Sequence, residues 1–229
     1  MFFYYDWTIL LLIPGMLLGL WAQYRVTSTY RKYADVATST GMTGRDMAKA
    51  ILANGGLSDV VVEEMPGQLS DHYDPARRVI RLSETVYGSR SVAALGVAAH
   101  ECGHAFQHQQ GYLAMRWRWA LLGPANLGTS LAPWIVMAGF FMGRAGGWLI
   151  DLGIVLFSAA VLFHLVTLPV EFNASRRAVN ELRSAGVVAP NEIGAVEEVL
   201  RAAGFTYVAA AAASILVLTR LLLLRRSRD

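Results

Sequence analysis

Four stretches of the chain are apolar almost throughout: Trp7 to Ala22, Ala120 to Met142, Trp148 to Pro169 and Phe205 to Leu224. Each approaches the ~20 residues that a helix needs to cross the hydrocarbon core of a bilayer. The first is the shortest and is interrupted by Pro14 and Gly15. The segment before it, Met1 to Asp6, has no Lys or Arg and ends in an acid, and no small-residue cleavage site follows. It reads as a retained anchor rather than a signal peptide. With four crossings, the polar segments 22–119 and 170–204 fall on one face of the membrane. The N-terminus, the Gly143 to Gly147 turn and the tail fall on the other.

Within the polar segments the pattern changes to that of a small folded domain. Thr43 and Asp46 have capping-box spacing and open a helix through Ala53 that stops at Gly55-Gly56. Asp59 to Glu64 and Arg78 to Leu82 have strand character, with turn signals at Pro66-Gly67 and Asp74-Pro75, so a two- or three-stranded sheet is expected. Ser91 to Gln110 predicts a helix ended by Gly111. Phe172 to Ser184 and Asn191 to Ala203 predict two more, closed by Gly186 and Gly204.

Composition agrees with a membrane protein, at 55% hydrophobic and 16% charged residues among 229. The pI of 9.2 does not come from a basic patch interleaved with aromatics, so nucleic acid is not an expected partner. The basic residues flank the spans instead. Fifteen of the twenty Lys and Arg lie on the face of the two large polar segments, which makes that face cytoplasmic by the positive-inside bias. The Arg225-Arg226-Ser227-Arg228 tail opposes that assignment. One cysteine excludes an intrachain disulfide.

The chemistry sits in His100-Glu101-Cys102-Gly103-His104. On a helix of 3.6 residues per turn, His100 and His104 project from one face and can hold one zinc ion. Glu101 lies beside them, where it can take a proton from a water activated by the metal. Cys102 points about 200° round the helix from His100 and reads as a packed small residue. Peptide hydrolysis is the reaction class this motif names.

A catalytic zinc usually takes three protein ligands. His108 lies about 12 Å along the helix axis from His100, too far to share the ion, and reads as a surface polar residue or a group supporting a ligand. The metzincin pattern needs Gly and His downstream, where Gln107 and Gln110 stand. Glu171 leaves the third span on the same face as the motif helix and could reach the metal. Pairing with Arg176 or Arg177 explains it as well, and the residues alone leave both readings open.

The motif HECGHAFQH, the membrane hairpin after it, LPVEFNASRRA, and DHYDP followed by RVIRLSE resemble the bacterial membrane-embedded neutral zinc metallopeptidases, the YugP-like group. The arrangement is also similar to HtpX-type gluzincins, in which a membrane hairpin separates the motif helix from a ligand glutamate. The resemblance covers most of the chain and implies Glu171 as the third ligand of one catalytic Zn2+. HtpX-like gluzincins often carry an Asp four residues after that Glu, where this chain has Ser175. Such a carboxylate would orient a ligand His, a role for which Asn173 is an alternative. The resemblance further implies the bacterial inner membrane.

The expected protein is therefore a mainly α membrane protein of about four transmembrane helices with a small α+β zincin-like cytoplasmic domain. Its segments are an anchor at 1–22, the zincin-like domain at 23–119, a hairpin at 120–169, a helical loop carrying the third ligand at 170–204, and a last span with a basic tail at 205–229. Its activity would be zinc-dependent endopeptidase cleavage of membrane proteins or peptides at the bilayer, with Glu101 as general base. The strand Arg78 to Leu82 could hold an extended peptide as a sheet edge. His72 or Tyr73 could donate to a developing oxyanion. His164, two helical turns before Glu171 within a span, is either a functional ionisable group or a neutral His paired inside the bundle. Two rival readings are a non-catalytic zinc-holding scaffold subunit, against which Glu101 counts, and a zinc hydrolase of non-peptide amides or esters.

Overall fold

The computed structural model describes residues 6–67 and 70–227. Arg228 of the basic tail and most of the segment preceding the first span lie outside the described residues. The chain divides into two compact units. One contains residues 24–113 and 170–205; the other contains residues 1–23, 114–169 and 206–229.

In the first unit, α2 (Gly44–Asn54) opens on the expected capping box, Thr43 Oγ1 accepting from Asp46 N at 3.2 Å. It ends at Gly55-Gly56, where Gly56 takes φ +73°. A mixed sheet follows: β1 (Val61–Met65), β2 (His72–Asp74) and β3 (Val79–Ser83), in the order β1-β3-β2. β1 runs parallel to β3 with Val62 opposite Ile80, and β2 runs antiparallel with Tyr73 opposite Ile80. The Asp74-Pro75 signal is an Asx turn, Asp74 Oδ1 accepting from Ala76 N and Arg77 N. The strand expected at an edge, Arg78 to Leu82, is the central one. Four of the five β3 residues are buried, as a strand flanked on both sides requires.

The short α3 (Glu84–Tyr87) leads to α4 (Val92–Gln109), whose N-cap Ser91 accepts from Ala94 N at 3.2 Å. Met47, Ile51 and Leu52 of α2, Ile80 and Leu82 of β3, and Leu95 of α4 are all at most 1% exposed and form the core. Ordinary apolar burial holds this unit together.

Three expected boundaries are absent. α1 (Leu12–Ala34) runs through Pro14-Gly15, because Pro14 falls in its first turn, where a missing N–H costs nothing. A short 3₁₀ turn (Trp7–Leu11) precedes it. α6 (Gly147–Ala185) continues through Pro169, joining the third apolar stretch to the helix expected after it. α7 (Pro190–Arg226) likewise passes Gly204 without stopping. Gly204 is small because a Cβ there would lie 3.0 Å from Phe172 Cε1 on α6, so the residue marks a helix contact instead of a cap.

The second unit is helical. α5 (Leu113–Phe141) and the first part of α6 meet through small residues: a Cβ on Gly128 would lie 3.0 Å from the Leu156 carbonyl carbon and nearer still to its oxygen. Gly139 meets Gly146 and Ile150 in the same way. Large side chains of α5 point outward, with Leu127, Leu131, Trp134 and Phe141 exposed. Among the described residues, three helices are long and apolar enough to cross a membrane: 7–34, 143–185 and 190–226. The second expected span is one 29-residue helix, α5, but is not among the three. Gly123, Pro124, Asn126, Thr129, Ser130 and Pro133 dilute its apolar character.

Candidate metal centre

Everything in the centre comes from the α4 face around His100 and the α6 segment after Val170. The two helices approach at Gly103, where a Cβ would lie 3.1 Å from Ala174 Cα and nearer still to its carbonyl. Gly103 lies between the two histidines in sequence; Ala174 lies between Glu171 and Ser175. The backbone contact thereby draws three potential ligands together. Glu171 Oε2 is 3.1 Å from His100 Nε2 and 3.7 Å from His104 Nε2. The potential donor atoms of the trio all fall within 4.8 Å of one another, and Glu171 is 2% exposed. His72, His108 and His164 do not belong to this group.

The tautomer of His104 follows from a chain of hydrogen bonds. Arg177 can only donate, and its Nε lies 2.7 Å from Asn173 Oδ1. Asn173 Oδ1 also accepts from Gln107 Nε2 at 2.9 Å, and Gln107 Nε2 donates to the Val170 carbonyl at 2.7 Å. The amide of Gln107 is therefore oriented with Oε1 toward His104, 3.0 Å from its Nδ1. His104 must carry its proton on Nδ1, which leaves the Nε2 lone pair facing Glu171 and His100. On the other ligand, Ser175 Oγ lies 3.1 Å from His100 Nδ1. The hydroxyl stands where HtpX-like gluzincins often have Asp, and it reaches the imidazole. Asn173 serves the other histidine, through Gln107.

This donor set fits zinc. Tetrahedral bonds of about 2.0–2.1 Å place neighbouring ligand atoms about 3.3–3.4 Å apart, and the two carboxylate–imidazole separations of 3.1 and 3.7 Å bracket that value. Two imidazoles pinned at Nδ1 with Nε2 turned inward, plus one carboxylate oxygen, are three ligands of the type that catalytic zinc uses.

Glu101 is 7% exposed. Burial, opposed by the neighbouring His100 and reinforced by Glu171, pushes its carboxyl up to about 7. Cys102 is buried on the far side with Sγ 3.7 Å from the Ala48 carbonyl, a packed residue as expected. Burial pushes its thiol well above the ordinary range.

The remaining candidates lie elsewhere. Tyr73 is 7% exposed, and its hydroxyl shares a 2.9 Å hydrogen bond with His108 Nδ1, so β2 is tied to the last turn of α4. Burial raises the Tyr73 phenol above its usual value. His72 is exposed, with Nδ1 2.8 Å from the Ser70 carbonyl and Nε2 3.4 Å from Arg81 Nη1. His164 is half-buried on α6 in the helical unit. Gln107 and Gly103 are the two residues of the centre that the sequence pattern does not single out. Gln107, a fully buried amide three residues after a ligand histidine, carries a signal in its spacing. Gly103 carries one as a residue of low helix propensity in the middle of a helix.

A zinc-competent donor set and membrane-length helices together define a membrane protein of the zinc-peptidase class. Residues 8–226 match the family described as "Putative neutral zinc metallopeptidase", and the chain belongs to that family. It is similar along nearly its whole length to the "Putative membrane protease YugP" of Bacillus subtilis (strain 168), 48% identical over 216 residues that cover 94% of this chain and 95% of the relative. No solved structure matches it.

Proposed function

We propose that the protein is a multi-pass membrane zinc endopeptidase, with His100, His104 and Glu171 holding one zinc ion and Glu101 acting as general base. The convergence of Glu171 on two imidazoles whose Nδ1 atoms are both engaged is the observation that carries this reading. Bound there, zinc would lower the pKa of water and polarise the scissile carbonyl. Glu101 would take the water proton and return it to the leaving amine, while Gln107 keeps His104 in the ligating tautomer and the Ser175 hydroxyl positions the His100 ring.

The topology we propose has four crossings, with α5 as the second. Residues 24–113 and 170–205 belong to one compact unit, and a chain with three crossings at α1, α6 and α7 would divide that unit between opposite faces. The outward row of Leu127, Leu131 and Trp134 suits lipid. Fifteen basic residues on the domain's face support a cytoplasmic site at the inner membrane of a bacterium. Substrates are membrane proteins or peptides reaching that interface; nucleic acid has no role. Because β3 is central, the edges free to pair with an extended peptide are β1 and β2, and β2 is the one bonded to α4.

The test measures zinc content and proteolysis in the purified full chain. Glu101→Gln is expected to lower turnover about 10²–10⁴-fold with zinc retained. Glu171→Ala is expected to lose zinc. Full activity in the first variant would remove Glu101 from the chemistry; tight zinc in the second would remove Glu171 from the ligands.

A further inference from the structure

A groove of about 280 Å³ lies between the 172–183 stretch of α6 and the 197–201 stretch of α7, and nothing in the proposed peptidase chemistry uses it. Its polarity is graded along the helices. Phe172, three residues beyond Pro169, is 43% exposed. Arg176 stands one turn further out on α6, and Arg201 faces the same groove from α7, five residues before Thr206, where α7 enters the helical unit. Both guanidiniums are exposed and neither has an ion pair among the described residues. Farther along, Arg183 Nη2 and Glu197 Oε1 close the groove with a 2.6 Å ion pair, which satisfies its one acidic lining residue.

An aromatic at the end continuous with an apolar helix, two unpaired cations one turn beyond it, and a closed polar end make an amphiphile's complement. A soluble anion would use the cations and leave Phe172 wet. A peptide backbone would use the Asn180 amide and leave the two cations without a counter-charge. We infer that this groove seats the headgroup of an anionic phospholipid, its phosphate on Arg176 and Arg201 and its glycerol and acyl end along Phe172. Ser175 lines the same groove and bonds His100 Nδ1, so the seated lipid would stand beside the hydroxyl that orients a ligand histidine. The inference depends on the membrane reading and is independent of the peptidase reading.

The experiment reconstitutes the full chain in phosphatidylcholine vesicles containing trace spin-labelled phosphatidylglycerol or spin-labelled phosphatidylcholine. The motionally restricted fraction of each probe is measured, and zinc content is read in the same samples. The wild type is expected to select phosphatidylglycerol. Arg176→Gln and Arg201→Gln should each reduce that selectivity about fivefold, and the double variant should abolish it. Arg45→Gln, on α2, should leave it unchanged. Inorganic phosphate at about 10 mM, too dilute to screen the site by ionic strength alone, should not displace the lipid, since the free ion lacks the apolar end. Selectivity that persists in a folded double variant would overturn the inference. So would displacement by phosphate, which would make the groove a simple anion site, or a double variant changed only in cleavage of acidic peptides, which would assign it to substrate. Since the readout needs no activity, loss of zinc in Glu171→Ala with lipid selectivity retained would separate this inference from the peptidase reading.

Discussion

The two units of this chain are built inside out with respect to one another. In the unit around α4, the large side chains Met47, Ile51, Leu52, Ile80, Leu82 and Leu95 are inside. In the helical unit the inside positions include Ala125, Gly128, Ala132 and Gly139, while Leu127, Leu131, Trp134 and Phe141 face outward. Water explains the first arrangement, since burying large apolar surface is what stabilises it. In the four-crossing topology proposed above, lipid would explain the second, because a bilayer removes that driving force and leaves close backbone packing as the main attraction. Gly103 against Ala174 shows the membrane device, close backbone approach, used inside the water-facing unit, where it brings the potential metal ligands together.

The strongest way to break this contrast is a matched pair of charges. Val61 on β1 and Leu131 on α5 are similarly exposed, at 51% and 47%. Leu131→Asp should cost about 3 kcal/mol of insertion, seen as loss of membrane-integrated chain, because an ionised carboxylate would face hydrocarbon. Val61→Asp should change stability by less than about 0.5 kcal/mol. Equal tolerance of both would mean that α5 does not face lipid and that the four-crossing topology is wrong.

A second pair separates what close packing achieves in each unit. Gly103→Ala and Gly128→Ala both place a methyl against backbone, and each should destabilise its own helix contact by about 1–3 kcal/mol. Only Gly103→Ala should also weaken zinc binding, by pushing His100 and His104 away from Glu171. Competition with a calibrated chelator measures this. If Gly128→Ala weakened zinc equally, the centre would not depend on the local Gly103 contact.

How much can be read from the chain follows the same division. The α4 motif, the Thr43 capping box and the stops at Gly55-Gly56, Gly111 and Gly186 depend on neighbours in sequence, and all are legible there. Pro14, Pro169 and Gly204 look like punctuation, yet helices run through all three, and for Pro14 and Gly204 the reason is positional or tertiary. A proline in a first turn ends nothing, and Gly204 is small for the sake of Phe172. The central place of β3 depends on strand order, which alternation of side chains does not encode. Glu171 is visible as a candidate, whereas Gln107 acquires its part only when α6 brings Val170 and Asn173 to its amide.

The relay through Gln107 makes the two ligand histidines unequal, and the difference is measurable. Gln107→Ala removes the acceptor for His104 Nδ1–H and strands a buried network, so zinc affinity should fall about 10–100-fold. Ser175→Ala removes one hydroxyl from a half-exposed position beside His100 and should cost less. Equal losses would show that Gln107 acts as a simple hydrogen-bond partner, with no contribution from its anchoring by Asn173 and Arg177.

The smallest effect distinguishes two jobs for Tyr73. Its hydroxyl is the tie between β2 and α4, and Tyr73→Phe leaves the buried ring in place while removing a hydrogen bond worth about 1 kcal/mol. The expected outcome is a fall of a few degrees in thermal midpoint with zinc content unchanged, because the tie lies a turn beyond His104. If β2 holds substrate as an edge strand, loosening it should raise KM and leave kcat nearly intact, since the interaction lost is made equally in ground and transition states. Turnover lowered roughly a hundredfold at constant KM would instead place the phenol at the reacting carbonyl, as an oxyanion donor. That result would require Tyr73 to leave His108 on substrate binding, and His108→Phe, which frees the phenol in advance, should then preserve turnover while lowering the thermal midpoint.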